Sequence, residues 1–325
     1  MTTYLITGGA GFIGSHLTRS LLNEGNIVVC VDNFNDFYSP KIKEFNISRF
    51  INSENYRLYR VDITNESDMM NVFKDNNVDI VVNLAAMAGV RPSIENPLLY
   101  EKVNNFGFQV ILECMKRNNV KKLVAASSSS VYGNNKKVPF CENDIVDYAI
   151  SPYAATKKAN EVMGHVYHKL YNIDMVFLRF FTVYGPGQRP DLAIHKFTRM
   201  IDANEPIPFF GDGSSSRDYT YIDDIIEGIM HTFTYLKQSN IYDIFNLGES
   251  TPITLNEMVK TIENHLGKKA IINQLPKQMG DVDITYADIN KAKMSLNYEP
   301  TMHFDEGIAR FVQWYQQIKE IGVYE

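Results

Sequence analysis

Positive charge is scarce in this chain relative to negative charge. Its 325 residues carry 32 lysines and arginines against 38 aspartates and glutamates, a formal net charge of -6 at pH 7. A protein that binds nucleic acid or an anionic membrane surface usually displays a basic excess. We therefore expect neither partner, and any phosphate that binds would be met by a few local groups.

Long apolar runs and cysteines are also lacking. No stretch approaches the roughly 20 residues needed to cross a bilayer, and the N-terminus enters a strand pattern without a signal-peptide pattern. Cys30, Cys114 and Cys141 stand far apart, without the spacing of a metal site or a disulfide framework. Scattered thiols suit a reducing compartment. We expect a cytoplasmic protein without a metal centre, in which the cysteines pack the core.

A glycine-rich turn lies between a predicted strand and a predicted helix. Residues 4–7 form a short apolar run, Gly8, Gly11 and Gly14 follow, and residues 15–24 have helical periodicity. Such glycines permit a sharp turn, let the backbone approach a pyrophosphate and bring helix against strand. Free N–H groups at the helix start would face the phosphates. The pattern predicts a dinucleotide site; its alternative is a purely structural glycine turn.

A carboxylate follows the second predicted strand. Residues 27–31 are apolar, and Asp32 lies 21 residues beyond Gly11. A carboxylate at this place accepts hydrogen bonds from an adenosine ribose and repels a 2'-phosphate. Residues 33–35 include no arginine, so the sequence predicts NAD rather than NADP.

Strand and helix patterns alternate up to about residue 180. Further strands are predicted at 56–61, 79–84, 122–126 and 174–179, and helices at 103–117 and from about 153 to 171. This alternation predicts an α/β fold with a doubly wound parallel sheet, whose ligands bind at the carboxyl ends of strands. The candidate ligand-binding residues fall at those ends: Asp32, Asp62, Ile63, Asn83, Ala85, Ala86 and residues 127–130. Asp62 and Ile63 would meet the adenine, although Asp62 could equally cap a helix.

Beyond residue 180 the pattern loosens. Residues 180–191 are predicted as a loop rich in glycine and proline, 222–233 as a helix and 242–247 as a strand. The helix and the strand could return to the first sheet. We expect a Rossmann-type NAD-binding domain over 1–180, with returning segments near 222–248, and a smaller, mixed substrate domain over 181–325.

Tyr153 and Lys157 have a spacing that could serve acid–base chemistry. Pro152 suits the first turn of a helix, and residues four apart then share one face. The ammonium could lower the pKa of the phenol, so that a tyrosinate accepts a proton from an alcohol while a cofactor accepts the hydride. The alternative is an ordinary solvated helix face.

These motifs together resemble one family. The three glycines, the strand end at 83–86, the serine run 127–130 before Val131, and Tyr153 with Lys157 are similar to extended short-chain dehydrogenases/reductases that act on nucleotide sugars. The resemblance covers essentially the whole chain. Three further stretches, at 32–38, 88–91 and 179–191, resemble UDP-glucuronate 4-epimerases.

The resemblance implies a reversible oxidation at C4 of the sugar. Tyr153, with its pKa lowered by Lys157 and the nicotinamide charge, would take the C4 hydroxyl proton as hydride passes to NAD. Ser128 would hydrogen-bond the same oxygen. The 4-keto intermediate would rotate and take the hydride back on its other face, so that NAD is regenerated.

The choice of Ser128 rests on its position three residues before Val131. The other serines of the run, Ser127, Ser129 and Ser130, remain alternatives. Related 4,6-dehydratases carry an acid pair at the positions of Ser129 and Ser130, and related decarboxylases carry a glutamate at Ser130. Serines at both positions favour an epimerase.

Substrate contacts follow from the same resemblance. Thr182 and Arg189 are expected at the uronate carboxylate, where a guanidinium offers a bidentate pair, and Arg91 is a second candidate. Either arginine could instead brace a loop. Ser129 is expected to contact the sugar.

The nucleotide part of the substrate has its own expected contacts. Arg217 matches a diphosphate-binding arginine of the family, and Asp281 matches a carboxylate on the uridine ribose. Gln278 departs from the pattern, because hexose epimerases often have a second diphosphate arginine there.

The expected NAD contacts are Gly8, Gly11, Phe12, Ile13, Gly14, Asp32, Asn33, Asp62, Ile63, Leu84, Ala85, Ala86, Asn104, Tyr153 and Lys157. Three rival functions stay open: a 4-epimerase of UDP-glucose or a UDP-N-acetylhexosamine, a non-catalytic NAD-binding regulator, and a net reductase or dehydrogenase. The resemblance further implies a homodimer.

Overall fold

A computed structural model describes residues 1–276 and 282–323. Its strands are β1 Thr3–Thr7, β2 Ile27–Val31, β3 Tyr56–Tyr59, β4 Ile80–Asn83, β5 Lys122–Ser128, β6 Asp174–Phe180, β7 Thr182–Tyr184, β8 Pro206–Phe210, β9 Ser216–Tyr221, β10 Tyr242–Leu247, β11 Pro252–Thr254 and β12 Ile271–Leu275. Its α-helices are α1 Phe12–Asn23, α2 Pro40–Ile47, α3 Glu66–Asp75, α4 Val90–Glu95, α5 Pro97–Tyr100, α6 Gly107–Arg117, α7 Pro152–Tyr171, α8 Ala193–Asp202, α9 Ile222–Tyr235, α10 Leu255–Leu266, α11 Asn290–Leu296 and α12 Phe304–Ile321.

Seven strands form the central sheet, in the order β10-β6-β5-β4-β1-β2-β3. Every pairing in it is parallel. A parallel sheet is covered on both faces, which explains why its strands read as near-continuous apolar runs. Strand β10 pairs with β6 from Tyr242 and Met175 to Leu247 and Phe180, so a segment late in the chain completes the sheet.

Alternate residues of these strands feed two separate cores. On one face the buried side chains include those of Ile6, Val28, Val82, Val124 and Val176. Their neighbours in sequence, Leu5, Val29, Val81, Leu123 and Met175, belong to the core on the other face. The period of two along a strand produces this division. The predicted α/β fold with a Rossmann-type doubly wound sheet is confirmed.

Two smaller sheets lie outside the central one. Strands β11, β9 and β7 form a three-stranded sheet, and β12 pairs with β8 in parallel. The prediction of an uninterrupted loop over 180–191 was therefore wrong. The short Thr-Val-Tyr strand β7 gains its partner, β9, only through the tertiary fold, with Thr182 opposite Tyr219.

The helix predicted at 103–117 is also irregular. Glu101–Phe106 forms a π-helical turn that leads into α6. Such turns occur mostly as short insertions and often near functional sites.

No helix within the described parts of the chain combines the length and apolarity needed to cross a membrane.

Candidate active site

Two cavities adjoin at the carboxyl ends of the central strands. The smaller, of about 360 Å³, runs along the glycine turn and reaches Tyr153. The larger, of about 530 Å³, lies between the serine run and the two small sheets. Gly89, Thr182 and Leu192 line both cavities. A ligand in the first can therefore lie next to a ligand in the second.

The glycine turn has no space for side chains. Gly8 has a φ of +70°, and a Cβ atom on it would lie 2.9 Å from the Ala85 backbone nitrogen. A Cβ atom on Gly14 would lie 2.3 Å from the Gly8 carbonyl oxygen. These contacts let α1 begin directly against the sheet, and its first N–H groups border the smaller cavity. The arrangement fits a pyrophosphate, as the spacing predicted.

Asp32 lies at the end of β2 and is buried. Its carboxylate accepts hydrogen bonds from the Phe34 backbone at 2.9 Å and from the Ala10 backbone at 3.3 Å. The Lys43 ammonium, on α2, lies 3.6 Å from the same carboxylate. The carboxylate is thus fixed at the cavity wall, where a ribose hydroxyl could donate to it.

Asp62 binds neighbouring side chains rather than capping a helix. Asn33 donates to it at 2.9 Å, and Thr64 donates from its backbone at 2.8 Å and from its hydroxyl at 2.7 Å. Although burial opposes it, these bonds hold the pKa of Asp62 below its ordinary value. Asn65 is the N-cap of α3, so the helix-cap alternative for Asp62 was wrong.

Tyr153 lies in the first turn of α7, beside Ser128. The Ser151 side chain caps this helix by accepting from the Ala154 backbone at 3.1 Å. Burial raises the pKa of Tyr153, and a hydrogen bond with Ser128 and the charge of Arg189 oppose that rise. In the protein chain alone the effect of burial is larger. The lowering of the pKa by Lys157 together with the nicotinamide charge stays a prediction.

Lys157 does not contact the phenol oxygen. Its buried ammonium donates to the Ala126 carbonyl at 2.8 Å and lies 5.9 Å from the centre of the Tyr153 ring. Burial lowers the pKa of Lys157 to about 8. Lys157 lines the smaller cavity, and the end of β5 holds its ammonium there.

The four serines of the run have different partners. Ser127 donates to the buried carboxylate of Glu161 at 2.7 Å. Ser128 donates to the Ser130 hydroxyl at 3.1 Å and accepts from the Ser130 backbone at 3.2 Å. Ser129 and Ser130 line the larger cavity. Of the four, Ser128 is the one whose side chain opposes the rise in the pKa of Tyr153.

The predicted substrate residues divide between the two cavities. Arg91, Thr182 and Arg217 line the larger one, with Arg91 stacked over the Phe210 ring at 5.2 Å. Arg189 borders the smaller cavity and forms a bidentate ion pair with Asp191, at 3.0 and 2.8 Å. Asp281 and Gln278 lie outside the described residues, so their predicted roles stay predictions.

Known proteins are similar to this chain over most of its length. Residues 5–311 match the family model described as GDP-mannose 4,6 dehydratase. The chain belongs to the extended short-chain dehydrogenase/reductase family. A UDP-glucuronate 4-epimerase of Thermodesulfobacterium geofontis is 44% identical over 322 residues, which cover 99% of this chain and 98% of that protein.

Solved structures of this family have the same fold. A UDP-glucuronic acid 4-epimerase from Bacillus cereus, in complex with UDP-glucuronic acid and NAD, matches with a TM-score of 0.91 and 36% identity. The match covers 98% of this chain and 100% of that one. A UDP-glucose 4-epimerase from Thermotoga maritima matches with a TM-score of 0.89 and 31% identity, over 98% of this chain and 100% of that one.

Most of the NAD contacts predicted for this short-chain dehydrogenase/reductase line the smaller cavity. They are Gly8, Gly11, Phe12, Ile13, Gly14, Asp32, Asn33, Asp62, Ile63, Leu84, Ala85, Ala86, Tyr153 and Lys157. Asn104 does not line it. Its amide instead bonds both backbone groups of Met87, at 2.8 and 3.0 Å, and the Thr156 hydroxyl at 3.0 Å. Asn104 thus fixes the wall of the cavity from behind.

Three residues that were not predicted as site residues also line the two cavities. Tyr38 and Lys43 line the smaller cavity beside Asp32, and Lys196 of α8 lines the larger one. Only the fold of α2 brings Lys43 back to Asp32, so no local spacing could have found it. Lys196 lies on the face of α8 opposite the buried residues Ile194, Phe197 and Ile201, where a lysine is ordinary, so the sequence offered no signal for it.

Proposed function

We propose that this protein is an NAD-dependent 4-epimerase of UDP-glucuronate that forms UDP-galacturonate through a transient 4-keto sugar. One observation carries the proposal: Tyr153, Lys157 and Ser128 line a cavity that also borders the glycine turn and adjoins a second cavity lined by Arg91 and Arg217. NAD bound in the smaller cavity would supply a reversible hydride acceptor.

The chain's own groups provide the proton chemistry. Tyr153 accepts the proton of the C4 hydroxyl, and Ser128 hydrogen-bonds the same oxygen. The Lys157 ammonium, held by the Ala126 carbonyl, adds a positive charge 5.9 Å from the centre of the Tyr153 ring and favours the tyrosinate. Burial raises the pKa of Tyr153. The positive charge of an oxidised nicotinamide is therefore needed to lower that pKa toward neutral pH. On the return step Tyr153 gives the proton back.

The larger cavity suits an anionic nucleotide sugar. Arg217 of β9 and Lys196 of α8 both line it and would meet a diphosphate. Ser129 and Ser130 border the cavity without any carboxylate of their own, so this part of the site has no acid to eliminate water from the sugar.

One observation favours a second candidate, a 4-epimerase of a neutral UDP-hexose. Thr182 and Arg189 are our candidates for binding the uronate carboxylate, but the Arg189 guanidinium is already paired with Asp191. A neutral sugar would leave that pair intact. The sugar specificity therefore depends on whether Arg189 exchanges its partner.

Incubating the purified protein with a panel of UDP-sugars, without added cofactor, tests the proposal. NMR should show UDP-glucuronate converting to UDP-galacturonate, while absorbance at 340 nm shows no accumulation of reduced cofactor. UDP-glucose and UDP-N-acetylglucosamine are the matched neutral substrates. Faster epimerisation of either would favour the second candidate, and stoichiometric formation of reduced cofactor would indicate a net dehydrogenase.

A homodimer formed through α7 is part of the proposal. Val162, Val166 and Leu170 lie four residues apart on that helix and are 55%, 40% and 64% exposed. Phe106 of the π-helical turn, which packs against α7, is 52% exposed. An apolar stripe of this kind is typical of a helix that packs against a partner.

We also propose the predicted division of the chain and its cytoplasmic location. Residues 1–180 with α9 and β10 would bind NAD, and the remainder of 181–325 would bind the sugar nucleotide. The parallel pairing of β10 with β6 and the contact of the Tyr4 and Phe233 rings at 4.7 Å support the returning segments. The unpaired thiols of Cys30, Cys114 and Cys141 fit a reducing compartment.

A further inference from the structure

The Arg189–Asp191 ion pair lies between the two cavities. Arg189 is 18% exposed and borders the smaller cavity, whereas Asp191 is 42% exposed and lines the larger one. Two hydrogen bonds join them, from Nε to Oδ1 at 3.0 Å and from a terminal nitrogen to Oδ2 at 2.8 Å. The carboxylate thus approaches the guanidinium from the side on which a sugar would lie.

Arg189 is close enough to the proposed reaction centre to influence it. Its charge opposes the rise in the pKa of Tyr153 caused by burial. Its guanidinium also lies 5.3 Å from the centre of the Phe37 ring, which holds it in place from the cofactor side. The carboxylate carbon of a uronate is two bonds from C4, so it would lie near Arg189 when C4 lies at Tyr153.

Asp191 has little to do in the structure apart from this pair. Across residues 1–276 and 282–323, its side chain makes hydrogen bonds to Arg189 alone. A side chain that braced the loop would be expected to bond its backbone as well. The Asp191 side chain is 42% exposed, so water can solvate its carboxylate when the pair opens.

We propose that Asp191 is an internal competitor for Arg189, which occupies the guanidinium until the carboxylate of a uronate replaces it. This inference rests on the proposed epimerase function and names a specificity-determining residue of that site. One edge of a guanidinium binds a single carboxylate in bidentate geometry at a time, and Asp191 occupies the edge formed by Nε and one terminal nitrogen of Arg189. A uronate can displace Asp191 by offering an equivalent carboxylate, and a neutral hexose cannot.

The exchange also suits a sugar that must turn during the reaction. If Arg189 held the uronate without a competitor, rotation of the 4-keto sugar would leave a partly buried guanidinium unpaired. With Asp191 adjacent, the guanidinium regains a carboxylate as the sugar leaves it. Asp191 therefore weakens binding of the substrate and speeds its rotation.

Substitution of Asp191→Asn tests the proposal, because asparagine keeps the size and removes the charge. Binding is measured by calorimetry on NAD-loaded protein carrying Tyr153→Phe, so that no turnover occurs. An internal competitor lowers the apparent affinity in proportion to the fraction of protein molecules in which it occupies the guanidinium. Loss of the Asp191 charge should therefore tighten UDP-glucuronate binding by about threefold to tenfold. Binding of UDP-glucose should not change.

Turnover is measured with Tyr153 intact. Asp191→Asn should lower both the KM and the kcat for UDP-glucuronate, and Asp191→Glu, which retains a carboxylate, should restore both toward the original values. NAD content and the melting temperature serve as controls for folding. A purely structural role would not tighten the binding of one sugar alone.

Other outcomes would overturn the proposal. Equal weakening of UDP-glucuronate and UDP-glucose would make Asp191 a loop brace. Unchanged affinity for both sugars would mean that Asp191 does not compete for Arg189. Failure of the epimerase function is distinguishable, since unsubstituted protein would then bind UDP-sugars without converting UDP-glucuronate, while the binding experiment would still report on Asp191.

Discussion

At the scale of single residues, burial sets the protonation chemistry of this site. Tyr153 and Lys157 are both taken out of water, so burial raises the pKa of the tyrosine and lowers the pKa of the lysine to about 8. Burial therefore favours the neutral phenol of Tyr153, whereas a pKa of about 8 leaves Lys157 mostly protonated near neutral pH. We infer that NAD binding completes the acid–base pair rather than merely providing the oxidant.

Substitution of Tyr153→Phe removes the proposed base and leaves the ring in place. We expect kcat for UDP-glucuronate to fall by about 100-fold to 10,000-fold, the usual contribution of general acid–base catalysis. Bound NAD, measured after denaturation and extraction, should be unchanged. The 83% exposed Tyr148 provides the matched control, and Tyr148→Phe should keep full activity. Undiminished turnover in Tyr153→Phe would refute the assignment.

Glu249 provides a prediction on the pH dependence of stability. Burial, together with the charges of Asp224 and Asp218, raises its pKa to about 8 from an ordinary value near 4.5, and its Oε2 atom has no hydrogen-bond partner among the described residues. The folded state thus holds a proton that the unfolded state has released. The free energy of unfolding should therefore fall as pH rises from about 4.5 to about 8.

The substitution Glu249→Gln should remove this fall in the free energy of unfolding. We expect equal stability of the two proteins at pH 4.5 and an advantage for the variant above pH 8 of about 1 kcal/mol, discounted for the partial exposure of the side chain. Urea unfolding at the two pH values measures the difference in free energy of unfolding between the variant and the original protein. A constant difference between variant and original at both pH values would contradict the proposed cause.

At the scale of elements, α7 is the part of the fold that joins the chemistry to the sheet. Its first turn carries Tyr153 and its second carries Lys157, whose ammonium bonds the end of β5. Four residues further on, the buried Glu161 bonds Ser127 of β5 and forms a bidentate pair with Arg179 of β6 at 2.9 Å. The helix is thus fixed to the ends of two neighbouring strands.

The N-cap of α7 should matter for both stability and activity. Ser151→Ala removes the hydrogen bond to the Ala154 backbone and should cost about 1 kcal/mol of unfolding free energy. It should also lower kcat, because Tyr153 lies within the turn that loosens. Asn65→Ala removes the equivalent bond at the start of α3 and should cost similar stability without changing kcat. Equal loss of kcat in both variants would argue against a local effect.

At the scale of the whole molecule, the apolar stripe of Val162, Val166 and Leu170 lies on the face of α7 away from the sheet. The described structure buries the opposite face of that helix, including Ala154, Lys157 and Tyr167. A second copy of the chain that packs against this stripe would cover Val166 and Leu170. Dimerisation would then also stabilise the helix that carries Tyr153.

Substitution of Leu170→Glu places a charge within the stripe. We expect size-exclusion chromatography with light scattering to show a dimer for the original protein and a monomer for the variant, because burying an unpaired carboxylate is costly. Met294→Glu changes a side chain that is 83% exposed on α11 and should leave the dimer intact. A monomeric original protein would contradict the proposed interface.

Much of the fold and site could be predicted because the relevant signals are local. The glycine turn, Asp32 and the Tyr153–Lys157 spacing each lie within one strand, turn or helix, where backbone geometry determines which groups meet. The alternation of strands and helices predicted the parallel sheet, because a helix that connects two strands makes them run in the same direction. Strand β7, by contrast, is stabilised as a strand by β9, and no local pattern could predict that pairing.

The sequence by itself determined the turn that can hold a pyrophosphate, the carboxylate for a ribose and the helix face that carries tyrosine and lysine, because sterics and helical periodicity act over a few residues. Only the tertiary structure decided that Lys43 approaches Asp32, that Lys157 bonds the Ala126 carbonyl and that burial shifts the pKa values of Lys157 and Tyr153. It also decided that Arg189 faces Asp191 within reach of the substrate cavity. Burial and the balance of charges depend on every element packed around a group, and no short stretch of sequence contains that information.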